Sequence, residues 1–190
     1  MPSLAPPAEL LLALSRVLTT LRVGWYVFGA QAVMYWGRPR LTEDIDVTVQ
    51  LGAVETDRLV AELQQVGFAL RPEGSSAFIA QTRVVPLVFG NSGWALDIVL
   101  GGPGLEEDFL RRAVPVEVAA GVTVPIIAAE DLIVTKVLAG RSKDLEDVRG
   151  VLLAQTGRLN LVGARHTLAM LEDALGVSDL IPVFDRLVAP

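Results

Sequence analysis

The segment that most constrains this chain is Asp44-Ile45-Asp46-Val47-Thr48-Val49, preceded by Phe28-Gly29-Ala30 with thirteen residues, Gln31 to Glu43, in between. Polar residues alternating with β-branched apolar ones mark a strand with one face in a core, because successive side chains point to opposite faces. Ile45, Val47 and Val49 anchor such a strand, and Asp44 and Asp46 share its other face. Two carboxylates placed this way repel, and one takes up a proton unless a cation stands between them. The pattern is suited to holding a divalent metal. Before it, residues 25–28 predict a short strand and Gly29-Ala30 a tight turn with little side-chain bulk. Residues 31–36 predict a helix whose N-terminal amides point back at that turn, and Gly37-Arg38-Pro39-Arg40 a basic loop.

A core is within reach of this composition: of 190 residues, 52% are hydrophobic and 20% charged, which argues against disorder. The net charge of −6 comes without any basic run, so a general nucleic-acid coat is excluded and any such partner must be met by a local patch. Cysteine is absent, which removes disulfides and thiolate metal sites. The opening Met-Pro-Ser-Leu lacks the positive region of a signal peptide, and no apolar run is long enough to span a bilayer. A cytoplasmic protein without a membrane partner is the expectation.

Along the chain, Pro6 and Pro7 sit where helices start, and leucines at helical spacing predict a helix over 8–21. A second amphipathic helix is expected over 54–66. Strands are expected over 68–70, 77–81, 84–89 and 94–100, the last with Asp97 inside an otherwise apolar run. A short helix over 105–113 and strands over 116–118 and 122–127 follow. Helices over 130–139, 142–155 and 162–175, and a last one ending near 187, complete the pattern, with Ser142 as an N-cap. The change near Ala128 from strand-rich to purely helical sequence divides the chain into an α/β core, 1–127, and a helical subdomain, 128–190. Gly101-Gly-Pro-Gly104 is not a phosphate loop, since no Lys-Ser/Thr follows and Pro103 removes a donor. His166, the only histidine, reads as structural.

Phe28-Gly29-Ala30, the spacer and Asp44-Ile45-Asp46-Val47 together resemble the minimal motif of the DNA polymerase β-like nucleotidyltransferase superfamily. The resemblance implies an α/β (α+β) nucleotidyltransferase fold: a mixed twisted sheet with packed helices and a C-terminal helical subdomain closing a cleft. It implies Mg²⁺-dependent transfer of a nucleoside monophosphate from ATP or another NTP to an acceptor, with release of pyrophosphate. A two-metal site is expected, with Mn²⁺ as a substitute. By this likeness Asp44 and Asp46 are catalytic metal ligands. Asp97 matches the third carboxylate, which activates the acceptor hydroxyl as general base or binds metal. The alternative for Asp97 is a salt bridge at a strand end. Gly29 and Ala30 would admit the phosphates to backbone amides at a helix N-terminus. Many members carry Ser or a second Gly where this chain has Ala30, which loses a hydroxyl donor and keeps the N–H. Arg38 and Arg40 could touch triphosphate or acceptor, or simply form a solvated loop.

A second stretch, Ala129-Glu130-Asp131-Leu132 through Lys136 to Arg141-Ser142-Lys143-Asp144-Leu145-Glu146-Asp147, resembles the AbiEii-like nucleotidyltransferases, the toxin family of abortive-infection systems. On that likeness Lys136 contacts nucleotide phosphates, and Asp144 or Asp147 belongs to the active site, with Asp147 in the nucleotide-binding set. Acids in a helix's first turn are also favoured by the dipole alone. The likeness implies a tRNA or protein acceptor and an antitoxin protein as partner. Two rivals stand beside it: a small-molecule enzyme similar to aminoglycoside or lincosamide nucleotidyltransferases, and a non-catalytic nucleotide-binding or regulatory module that has kept the fold.

Overall fold

The computed structural model describes residues 5–189; residues 1–4, on which part of the leader argument rests, and Pro190 lie outside them. The chain forms two compact units. One comprises the residues up to Gln31 with Leu41–Ile127, the other Ala32–Arg40 with the residues from Ala128 on.

The first unit contains α1 (Pro6–Leu21), β1 (Gly24–Phe28), the start of α2 (Gly29–Trp36), β2 (Asp44–Gln50), α3 (Thr56–Gln65), β3 (Phe68–Leu70), α4 (Ser76–Thr82), β4 (Val84–Phe89), β5 (Trp94–Leu100), α5 (Leu105–Arg112), β6 (Val114–Ala119) and β7 (Val122–Ile126). The strands make one mixed sheet in the order β3-β4-β5-β2-β1-β7-β6. The β2/β5 and β1/β7 pairs are parallel and the other pairs antiparallel. The expected mixed α/β architecture is therefore present. Register explains its stability: Ile45 lies opposite Leu96, which lies opposite Leu87, and Val47 opposite Ile98, which lies opposite Val85. All six are fully buried, an apolar ladder across three strands worth about 1.5–3 kcal/mol per side chain. Leu10, Leu14 and Leu18 of α1 are equally buried, and α1 packs on β5, β7 and α3.

One expected strand is a helix. Residues 77–81 lie in α4, where Ser75 caps the first turn by accepting from the Phe78 amide at 3.2 Å. No residue of α4 is fully buried, so nothing selects a pleated, half-buried surface there, and the serine cap decides the outcome.

The second unit contains the rest of α2, the basic loop, α6 (Ala129–Ala139), α7 (Ser142–Ala154), α8 (Leu161–Leu175) and α9 (Leu180–Val188). Helix α6 packs against α7, α8 and α9 and buries residues on nearly all sides, Leu132, Ile133 and Val134 completely, as a central helix must. Asn160 caps α8 by accepting from the Gly163 amide at 2.9 Å, and its own amide donates to Glu130 at 2.8 Å. Position 37 admits only glycine without adjustment, because a Cβ there would lie 3.1 Å from the Val151 amide nitrogen. The basic loop thereby lies against α7. The N-cap of α7 is Arg141 rather than Ser142, and it makes no side-chain cap; its guanidinium instead turns to Asp144. Among the described residues, no helix is long and apolar enough to cross a membrane.

Candidate active site

Strand register assembles the carboxylates. Antiparallel pairing of β1 with β2 sets Phe28 opposite Asp46, and parallel pairing of β2 with β5 sets Asp46 opposite Asp97. Directly opposed residues on neighbouring strands project to the same face. Asp44, two residues before Asp46, joins them, while Ile45, Val47, Leu96 and Ile98 fill the opposite face. Asp44 is exposed, and Asp46 and Asp97 are half-buried.

Gly29 has φ +63°, a conformation natural to glycine, and a Cβ built on it would overlap Oδ2 of Asp46. The Asp46 carboxylate thus lies against bare backbone where α2 begins. Ala30, next in that turn, is buried.

Asp44 and Asp97 each meet a neighbouring side chain. The Thr42 hydroxyl donates to Asp44 in a short hydrogen bond. Arg71 donates from Nη2 to Oδ1 of Asp97 at 2.5 Å. Arg71 also has Glu73 Oε1 2.9 Å from its Nε, yet that oxygen lies off the N–H direction, and the buried Nε–H has no hydrogen-bond acceptor. Burial pushes the Asp97 carboxyl above its ordinary range; Arg71 opposes the rise, and the charges of Asp44 and Glu73 add to it.

Three hard oxygen donors on one face, one of them seated against a glycine, fit a hard divalent cation such as Mg²⁺ in their chemistry. In position they fit less closely. Among the described residues no three acidic or histidine side chains are gathered as a metal-binding group. Asp97 reaches toward Arg71, and Asp44 toward Thr42. Asp44 and Asp46 are the primary ligands this arrangement offers, with Asp97 able to join by changing partner.

The remaining expected binding residues lie in the second unit. The Lys136 ammonium is 2.8 Å from both Asp144 Oδ1 and Asp147 Oδ2. Arg40 adds a forked contact to Asp147, 3.1 Å from Nε and 3.4 Å from Nη2, and Arg141 grips Asp144. Lys136, Asp144 and Asp147 are 6%, 0% and 7% exposed, so one buried cation sits between two buried acids, with the more exposed Arg40 and Arg141 closing the network from the solvent side. Burial alone would raise the Asp144 carboxyl, but its bonds from Arg141 and Lys136 outweigh that and hold it below the usual range. Arg38 and Arg40 line a cavity of about 340 Å³ with Val33, Asp147, Arg149 and Leu153.

The sequence matches, over residues 11–175, the family described as nucleotidyltransferases of unknown function (DUF6036). The chain belongs to this nucleotidyltransferase family. No curated protein matches it in sequence. Among solved structures it resembles the antibiotic-resistance factor ANT(2'')-Ia in solution, at 15% identity over 90% of this chain and 93% of that one, with a TM-score of 0.60. The crystal structure of ANT(2'')-Ia with adenylyl-2''-tobramycin is similar at 15% identity, 90% and 99% coverage and a TM-score of 0.59. An antigenic nucleotidyltransferase-like protein from Paracoccidioides brasiliensis follows at 14% identity, 95% and 94% coverage and 0.53. At such identities the likeness is one of fold, and it establishes the nucleotidyltransferase fold for this family member.

Within that fold the expected residues form two constellations. Gly29, Ala30, Asp44, Asp46 and Asp97 belong to the first unit; Arg38, Arg40, Lys136 and Asp147 belong to the second. Lys136 was expected to face phosphates, and here its ammonium neutralises Asp144 and Asp147. Sequence reasoning missed Arg71, one arginine in a polar turn whose importance comes from the acid it meets, and it gave Arg141, part of the second motif, no role of its own.

Proposed function

We propose that this protein transfers a nucleoside monophosphate from an NTP to an acceptor hydroxyl and releases pyrophosphate, with Mg²⁺, or Mn²⁺ in its place, held by Asp44 and Asp46. The observation that carries the proposal is the register of Asp46 with Asp97 beside the Gly29 cradle. The acceptor oxygen attacks the α-phosphorus, the bond from that phosphorus to the β-bridging oxygen breaks, and pyrophosphate leaves with the bonding electrons. Asp97, its carboxyl raised by burial, takes the proton of the acceptor hydroxyl. The metal's contribution is to offset the phosphate charge. Gly29 and Ala30 leave room for phosphate oxygens to approach the amides that open α2.

For the acceptor, a tRNA or protein ranks first, on the resemblance of the Lys136 to Asp147 stretch to AbiEii-like toxins. On that reading the chain is a cytoplasmic toxin held in check by an antitoxin protein. A small-molecule acceptor ranks second. It is favoured by the net charge of −6 and by the fold shared with a protein crystallised with adenylyl-2''-tobramycin. Incubation with labelled NTPs and either bulk tRNA or a panel of aminoglycosides and lincosamides separates the two. Label entering neither acceptor removes both assignments. Label that enters equally with wild type and Asp46→Asn removes the metal assignment, whereas an NTP that binds without any label transfer favours the regulatory-module alternative.

A further inference from the structure

The face that carries the three carboxylates also carries an arginine, and the sheet puts it there. Asp97 lies opposite Pro86 on β4, and the Arg71 amide donates to the Pro86 carbonyl at 3.0 Å. Arg71, just past the end of β3, is therefore level with Asp97 two strands away, with Pro86 of β4 between them. Its backbone is fixed on the other side as well, because its carbonyl accepts from the Gly74 amide at 2.9 Å and closes the Arg71–Gly74 turn. A rigid turn thus delivers a flexible guanidinium to the third carboxylate.

We propose that Arg71 and a divalent cation compete for Asp97, so that Asp97 joins the metal only as Arg71 passes to Glu73. This rests on the metal assignment above. Two features make the exchange cheap. The Arg71 Nε–H is buried without an acceptor, and such a donor forgoes a hydrogen bond that a modest movement can recover. The group that can satisfy it is already in place: Glu73 Oε1 lies 2.9 Å from Nε, off the N–H line, on a half-exposed side chain free to adjust. Before the exchange Asp97 is neutralised by Arg71, and after it by the metal, while Arg71 gains a carboxylate that meets its fork. Neither charge is left uncompensated at either end. Arg71 is on this account a positioning residue: it holds Asp97 ready and sets how tightly metal must bind to recruit it.

The test is Mn²⁺ affinity of the full chain, followed by the electron paramagnetic resonance of free Mn²⁺, in wild type, Arg71→Gln, Asp97→Asn and the double variant. If Arg71 competes for Asp97, Arg71→Gln binds Mn²⁺ at least about threefold more tightly than wild type, and the gain disappears in the Asp97→Asn background. Glu73→Gln, which removes the alternative partner, binds more weakly, again only where Asp97 is present. The same gain in both backgrounds reduces Arg71 to a distant positive charge and overturns the proposal, as does unchanged or weaker binding by Arg71→Gln. Wild type that binds no Mn²⁺ overturns it together with the metal assignment, so the two failures are distinguishable. Should Arg71→Gln fail to fold by circular dichroism, Arg71→Lys replaces it, since it keeps the charge and loses the fork; a gain that depends on Asp97 is expected there too.

Discussion

Gly29 and Asp46 fit together without space for a side chain at position 29: the glycine adopts φ +63°, and a Cβ on it would overlap the Asp46 carboxylate. Gly29→Ala is therefore expected to cost about 1–2 kcal/mol from the left-handed backbone alone, and to displace Asp46 as well. Urea unfolding reads the first effect. Mn²⁺ affinity, which should fall, reads the second. A variant as stable as wild type with unchanged metal affinity contradicts the cradle.

Asp46→Asn preserves shape and removes charge. Its core-side neighbours Ile45 and Val47 are fully buried, so the strand should stay in place and the melting temperature should hardly move. Metal stabilisation of a phosphoryl-transfer transition state amounts to several kcal/mol, and each 1.36 kcal/mol is tenfold in rate. Nucleotidyl transfer is expected to drop about a hundredfold or more. Full activity in a steady-state assay would refute the ligand role.

NTP binding gives an assay independent of the acceptor. A ligand at one hundred times its dissociation constant stabilises the folded state by about 2.7 kcal/mol, which thermal melts resolve. The preferred NTP should raise the melting temperature with Mg²⁺ present, and Asp44→Asn should lose most of the rise. A rise of the same size without Mg²⁺ would point to binding by some other group.

In the second unit, Lys136 stands between two buried acids at 2.8 Å from each. Lys136→Met leaves Asp144 and Asp147 buried with only peripheral arginines, and removing one partner of a buried pair costs about 3–5 kcal/mol. Urea denaturation should show a lower midpoint. A loss below 1 kcal/mol would mean that Arg40 and Arg141 suffice.

The same network sets an acid limit. The Asp144 carboxyl is held below the ordinary range, so the unfolded chain takes up its proton first as pH falls. Its stabilisation is complete above a pH of about 4, the ordinary aspartate value, and is lost progressively as pH drops through the lower folded value. The stability gap between wild type and Asp144→Asn should therefore be constant from pH 7 to about 5 and shrink below 4. A gap that widened in acid would contradict the sign.

Some of this was written in local sequence and some was not. Alternation over residues 44–49 implies a strand with carboxylates on one face, because the period of two is a property of the backbone itself. Leucine spacing implies α1 for a similar reason, with Pro6 starting it. Residues 77–81 misled because a seven-residue helix with no fully buried position leaves almost no periodicity, and Ser142 because its neighbour Arg141 takes the cap position.

The partners of the carboxylates belong to a different level. By itself the sequence determined which residues carry charge, which face of each strand they take, and that Gly29 is the residue able to make a left-handed turn before them. Only the tertiary structure decided that Asp97 stands beside Asp46 and that Arg71 reaches it across Pro86. It also decided that Lys136, eleven residues from Asp147, turns inward to neutralise it. The reason is physical: facing within a strand or helix follows from the local repeat of the backbone, whereas strand register and helix packing follow from burial shared among segments far apart in the chain. That shared burial selects which opposite charges meet.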